Sequence, residues 1–411
     1  MITKTADVDD NPFDRQERIS WWSQERISRA RVMVVGAGAI GNETLKNLAL
    51  LGFRNIFIVD FDTIATSNLS RTVLFRPGDK GRRKSEVAAE RVRELCLADS
   101  PRVDWFDGDI VWDLGTGVFR QMDVVLGSLD NVETRFAINR QCWLAQTPWI
   151  DAGIFELAGA VTVYFPGRPP CYQCAATAAQ IKAARLRYSC DDFKQVMVEA
   201  GKVATVQIAS AIASALQVQE AVKLLCGQEV AASRKIFFQG LTNEFALLNY
   251  TPNPDCLAHV AYPEIIPLPL GSNSSLREFL ESVSQDAYSG EGAELDLRGD
   301  RTFLLSAPCI HCGRSVEVLT PSFRLYRHEI ICAECRELPR PPEGTPQQPM
   351  PNVTVKTFAL AYTDKRLLDL RLRDLGVPYL HVVAVKDKQG EYKYYELTGD
   401  REILFPNLAG R

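Results

Sequence analysis

The sequence predicts an α/β fold: a mostly parallel sheet with helices on both faces, followed by a smaller C-terminal region with a cysteine ribbon and α+β elements. Three observations carry this. Short apolar runs of strand length alternate with amphipathic helical stretches up to about Trp149, the first run leading into Gly36-x-Gly38-x-x-Gly41. After Trp149 the texture changes to β-branched runs such as GAVTVYFPG. Beyond residue 260, paired cysteines and a proline-rich stretch mark a second unit.

Taken in order, residues 1 to 30 form a charged lead-in that is helical from about Ser23, with Trp21 and Trp22 as anchors. Arg31 to Val35 is a strand, Asn42 to Leu51 a helix stopped by Gly52, and Asn55 to Val59 the next strand, a βαβ start. Lys84 to Ala98 is helical, with Ala88, Val92 and Leu95 on one face. Strands follow around Val103 to Phe106 and Asp123 to Leu126, then a helix from Asn131 to Ala145. This alternation gives a Rossmann-like, doubly wound sheet. Residues 171 to 193 form a long polar, basic loop of the kind usually kept for function. A helix from Lys202 to Leu225, rich in Ala and Ser, suits close packing against a helix or a second subunit, and Lys235 to Gln239 and Phe245 to Asn249 are strands. The boundaries expected are 1–260 for the first domain with a crossover loop at 171–200, 261–340 for a ribbon-containing region, 341–352 for a stiff linker, and 353–411 for a small α+β tail with a helix from Asp364 to Leu375.

Composition excludes several classes of function. A net charge of −4 and a pI near 5.8 give no basic footprint for nucleic acid. The first residues lack the apolar core of a targeting sequence, and the most apolar stretch, Val203 to Leu225, contains Gln207, Gln217, Gln219, Glu220 and Lys223, so no membrane span is expected. Eleven cysteines without a leader are read as thiols, metal ligands or a nucleophile in a cytoplasmic protein.

The glycine turn lets backbone approach a phosphate at a helix N-terminus, and Asp60 at the end of the next strand can accept hydrogen bonds from ribose hydroxyls. To this point a nicotinamide enzyme fits equally well. The residues that follow favour ATP: Arg71 and Lys84 supply cations for a triphosphate, Asn68 a neutral donor, and Asp130 a carboxylate after a strand, where Mg2+ can be held. Asp62 and Asn131, beside these groups in sequence, complete the expected cofactor-binding set. Singly, Asn68 reads as a cap, Arg71 as a surface ion pair and Lys84 as a solvated charge. Jointly, their order after a glycine turn is specific.

DFDTIATSNLSR, the lysine of GDKGRRK and SLDNVETR resemble the ubiquitin-activating and ThiF/MoeB superfamily of adenylyltransferases over about residues 10 to 259. The resemblance implies ribose binding by Asp60, phosphate contacts from Asn68, Arg71 and Lys84, and Mg2+ ligation by Asp130. It also implies a homodimer in which Arg15, with Arg18 as the second candidate, reaches the partner's nucleotide site. Asn42 and Glu43 stand where the family varies.

Cys171-x-x-Cys174 supplies half of a structural zinc site. The family usually places a second CxxC after the last strands of the domain, and Cys256 with His259 stands there, implying a Cys3His site. Cys309-x-x-Cys312 and Cys332-x-x-Cys335 match the spacing of a zinc ribbon, a second structural zinc. Cys190 lies where cysteine-using members carry the nucleophile; Arg185 and Arg187 favour its thiolate and Asp191 and Asp192 oppose it. The expected activity is adenylation of the C-terminal carboxylate of a small ubiquitin-like, β-grasp protein with ATP and Mg2+, a thioester on Cys190, and hand-over to a conjugating enzyme. The alternative is a sulfur-carrier adenylyltransferase that does not need Cys190.

Overall fold

The computed structural model of the chain describes residues 11–177, 204–298, 301–325, 327–338 and 352–408. Two short helices, α1 (Asp14–Glu17) and α2 (Gln24–Arg29), lead in; Ser23 caps α2 by accepting from the Arg26 N–H. Strand β1 (Arg31–Val35) then runs through four consecutive buried residues, so it has no solvent face and must be covered on both sides. In chain order follow α3 (Ala39–Leu50), β2 (Asn55–Val59), α4 (Lys84–Leu95), β3 (Arg102–Phe106), α5 (Thr116–Arg120), β4 (Val124–Ser128), α6 (Val132–Ala145), β5 (Trp149–Phe155), β6 (Ala158–Tyr164), α7 (Gln207–Leu225), β7 (Arg234–Gln239) and β8 (Glu244–Asn249).

These strands make an eight-stranded sheet in the order β3-β2-β1-β4-β5-β6-β7-β8. Neighbours from β3 to β5 are parallel; β5 to β8 run antiparallel in succession. The strand order reverses between β1 and β4, the switch point where doubly wound sheets bind ligands. One face is closed by α3, α4 and α7, with Ile40, Leu45, Val87, Val92 and Val218 in its core. Helix α7 packs on α3 as its small residues suggest. Thr44 and Asn47 of α3 donate to Ser214, and the buried Gln217 donates to the carbonyls of Gly127 and Ile150, so these buried polar groups are hydrogen-bonded.

The C-terminal half contains β9 (Ile266–Leu268), α8 (Leu276–Gln285), β10 (Glu294–Asp296), β11 (Phe303–Pro308), β12 (Ser315–Pro321), β13 (Val353–Val355), β14 (Thr357–Phe358), α9 (Lys365–Leu368), β15 (Val382–Lys386), β16 (Tyr392–Leu397) and α10 (Arg401–Leu404). A five-stranded sheet, β14-β10-β15-β16-β9, draws on both sides of the proline-rich stretch, and Leu276, Phe279 and Leu280 share a core with Phe358, Val385 and Tyr395. Residues 261–338 and 352–408 are therefore interleaved, with the sheet β12-β11-β13 set into the sequence between β10 and β14. The helix expected over Asp364 to Leu375 ends at Leu368. The N–H groups of Leu372 and Arg373 donate to the carbonyls of Ser274 and Ser272 instead of back along a helix.

The second face of the large sheet depends on this C-terminal half. Beside α5 and α6 it is covered by Leu380, Leu404, Phe405 and Leu408, and Phe405 meets Phe57 edge-on at 4.9 Å. Asp104 of β3 accepts from the N–H groups of Asn407 and Leu408, and Glu396 pairs with both Arg120 and Arg401.

Candidate functional site

The residues after β1, β2 and β4 meet at one edge of the sheet. Gly36 has φ +92°, and a Cβ there would lie 2.5 Å from the Ser128 carbonyl oxygen; at Gly41 a Cβ would lie 1.9 Å from the Gly36 oxygen. Only glycine permits this crossing of the β1 and β4 ends. Gly38, which starts α3, has nothing within 4 Å of its Cβ position, leaving an open cradle at the helix N-terminus.

Asp60 holds the turn from beneath, its two oxygens accepting from the Ala37 N–H at 2.7 Å and the Asp62 N–H at 2.8 Å. Burial raises its carboxyl above the usual range, against the pull of Lys84 and the two amide donors. Lys84, the first residue of α4, is largely enclosed, its Nζ 2.7 Å from Asp62 Oδ2. Asn68 spends its carbonyl oxygen on the Ala65 N–H, and Arg71 donates to the Ser67 carbonyl at 2.6 Å. Asp130 is exposed on the turn after β4, and Asn131 caps α6 by accepting from the Thr134 N–H. Glycine cradle, acceptor, cations and an exposed carboxylate form a donor set that suits ATP with Mg2+. When bound, the metal would neutralise phosphate charge.

Arg15 is not part of this edge. Phe13 packs on Gly52, and Gln16 donates to the Leu51 carbonyl at 3.3 Å, which fixes α1 at the C-terminal end of α3. The twelve residues of α3 put about 18 Å of helix between it and the glycine turn. Arg18 is tied to Asp14 at 2.8 Å.

Two thiol clusters are in place, and the ligand atoms of each lie within 4.8 Å of one another. In the first, Cys171 Sγ is 3.7 Å from both Cys174 Sγ and Cys256 Sγ, and Cys174 Sγ is 3.3 Å from His259 Nε2. A tetrahedral zinc–thiolate site has S···S edges of about 3.8 Å, so the set fits zinc. Burial pushes Cys171 up to about 12 and holds His259 below its usual value, the direction that favours a neutral imidazole. Trp143 of α6 stacks on His259 at 4.3 Å. In the second cluster Cys312 Sγ is 3.6 Å from Cys332 Sγ; at Cys309 burial is outweighed by the N–H groups of Cys332, Cys312 and His311, which bring the thiol down to about 6. Cys190, with Arg185, Arg187, Asp191 and Asp192, lies outside the described residues.

Sequence reading passed over two parts of the site. Asn42 is fully buried; its amide donates to the Ala37 carbonyl at 2.7 Å and its oxygen accepts from the Leu74 N–H at 2.9 Å, tying the glycine turn to the Asn68–Arg71 segment. Arg135 and Asp151 pair at 2.9 Å beside the Asp130 turn. No local signal marks Arg135, which stands among Glu133, Thr134, Asn139 and Arg140 in a mixed polar helix.

The ThiF family profile matches residues 13–258. The fold is that of a ThiF-type domain, and the chain belongs to the ThiF family. It is 38% identical over 159 residues to the SUMO-activating enzyme subunit uba-2 of Caenorhabditis elegans, covering 38% of this chain and 27% of that protein. It is 38% identical over 151 residues to the SUMO-activating enzyme subunit 2 of Dictyostelium discoideum, covering 36% and 22%. The matched part is thus about a quarter of the length of these relatives. Among solved structures it is similar in fold to Escherichia coli MccB with ATP, at a TM-score of 0.50 and 21% identity over 61% of this chain and 75% of that one.

Proposed function

We propose that this protein uses ATP and Mg2+ to adenylate the C-terminal carboxylate of a small ubiquitin-like, β-grasp protein, then takes the acyl group onto Cys190 as a thioester for hand-over to a conjugating enzyme. The observation that carries the reading is the convergence on one sheet edge of an open glycine cradle, the acceptor Asp60, the cation Lys84 and the exposed Asp130. The likeness to SUMO-activating enzyme subunits supports a ubiquitin-like substrate.

In the reaction, a carboxylate oxygen of the carrier attacks the α-phosphorus and the bond to pyrophosphate breaks. The Cys190 thiolate then attacks the acyl carbon and AMP leaves. The carboxylate is already ionised at neutral pH, so the first step needs no strong base. What the chain contributes is position and charge. Backbone N–H groups at the start of α3 receive phosphate, Asp60 holds the ribose, and Lys84 exchanges Asp62 for phosphate oxygens.

Arg15, remote from its own cradle, acts on the site of a second copy in a homodimer. The two clusters Cys171–Cys174–Cys256–His259 and Cys309–Cys312–Cys332–Cys335 hold structural zinc; of the other four cysteines Cys142 and Cys226 are buried and Cys96 half-buried, and Cys190 is the nucleophile. The C-terminal sheet and ribbon receive the carrier or the conjugating enzyme.

The test is intact-mass measurement without reductant on the full chain mixed with ATP, Mg2+ and a ubiquitin-like protein of the same organism. The expected result is an adduct of the carrier, lost on thiol treatment and absent in Cys190→Ala. An adduct that persists in that variant overturns the assignment of the nucleophile. Adenylate without any thioester favours sulfur-carrier chemistry instead.

A further inference from the structure

Asp130 is exposed, and Asn131 Nδ2 donates to its Oδ1 at 3.3 Å. What fixes the turn is Arg135, one helical turn further along α6. Its Nη2 donates to the carbonyl of Leu129 at 2.6 Å, the residue directly before Asp130, and to the carbonyl of Ala152 at 3.2 Å, while Nε donates to Asp151 Oδ1 at 2.9 Å. The Arg135 and Asp151 side chains are only 12% and 14% exposed. A Cβ on residue 153 would come within 3.1 Å of Nη2, so the guanidinium is closely bounded by β5.

An enclosed ion pair is a poor device for stability alone, because desolvation offsets much of the attraction. Its geometry is better suited to orientation. One planar fork ties together β4's exit and two points on β5, an arrangement that a single ammonium group cannot reproduce. We propose that Arg135, held by Asp151, is a positioning residue that sets the Asp130 carboxylate for Mg2+ on bound ATP. The inference rests on Asp130 being the Mg2+ ligand, as read above.

The test is calorimetric titration of the full-length protein with ATP, once in MgCl2 and once in EDTA. Wild type gains affinity from Mg2+. Arg135→Lys loses about tenfold of that gain, the lower end of what outer-shell changes at metal sites cost, and keeps its affinity in EDTA. Asp130→Asn loses the gain as well, and the double variant loses no more than Asp130→Asn alone, since the two residues act through one contact. Should Arg135→Lys fail to fold by circular dichroism, Asp151→Asn replaces it, with a loss in the same direction and smaller. A wild-type Mg2+ gain in the folded variant, or an equal loss in both buffers, overturns the positioning role and leaves the ATP reading standing. Wild-type protein that binds ATP in neither buffer overturns both.

Discussion

Lys84 is the side chain whose two possible roles differ most in magnitude. As an ion pair with Asp62, itself 54% exposed, it contributes at most about 1 kcal/mol to stability. As a phosphate cation in a transition state it is worth roughly 100- to 1,000-fold in rate, the usual cost of losing one preorganised charge donor. Lys84→Ala should therefore melt close to wild type while ATP–pyrophosphate exchange falls by about that factor. A large drop in melting temperature with activity retained would make Lys84 a structural residue. At this scale the sequence was informative where chemistry is local. Gly36, Gly38, Gly41 and Asp60 are read from spacing because the turn and the following strand impose it. Arg135 and Asp151 are sixteen residues apart, and become partners only when β5 pairs with β4. Asn42 was hidden for the same reason: its contact with Leu74 spans thirty-two residues.

The elements divide in the same way. The strands β1, β2 and β4 are short apolar runs with clear ends, legible because burial on both faces confines polar residues to the strand ends, Arg31, Asn55 and Ser128. The C-terminal sheet was not legible as one unit, since β9, β10 and β14 have three, three and two residues, too few for any period to show. The helix expected at Asp364 to Leu375 was overridden by backbone pairing to Ser272 and Ser274, a tertiary effect. The ribbon is the element with the least core of its own. Its buried apolar residues are Ala307, Ile310 and Ile330, too few to order it without a metal. Elemental analysis of the purified protein should find about two zinc ions per chain, and Cys312→Ser should retain about one, because the Cys171 cluster closes independently. Retention of both ions by the variant would refute a four-thiolate ribbon site.

For the whole molecule, the C-terminal half completes the first domain. Phe405 and Leu408 cover β2 and β3 on the face opposite α3 and α4, so a chain cut near residue 260 exposes an apolar sheet surface and should aggregate. The place of Arg15 at the far end of α3 leads to a sharper expectation about assembly. Arg15→Ala and Lys84→Ala should each be inactive alone. Mixed and allowed to exchange subunits, they should regain about a quarter of wild-type activity, since half of the dimers are mixed and each carries one intact site. Were Arg15 acting within its own subunit, no mixture would recover. The central claim, that ATP is cleaved between the α- and β-phosphates by a carrier carboxylate, is tested most directly by exchange of labelled pyrophosphate into ATP. The account predicts exchange that requires Mg2+ and a ubiquitin-like protein with a free C-terminus, and that stops when that carboxylate is amidated. Exchange that is absent with the full-length chain and its carrier, or indifferent to the carrier's C-terminus, would contradict it.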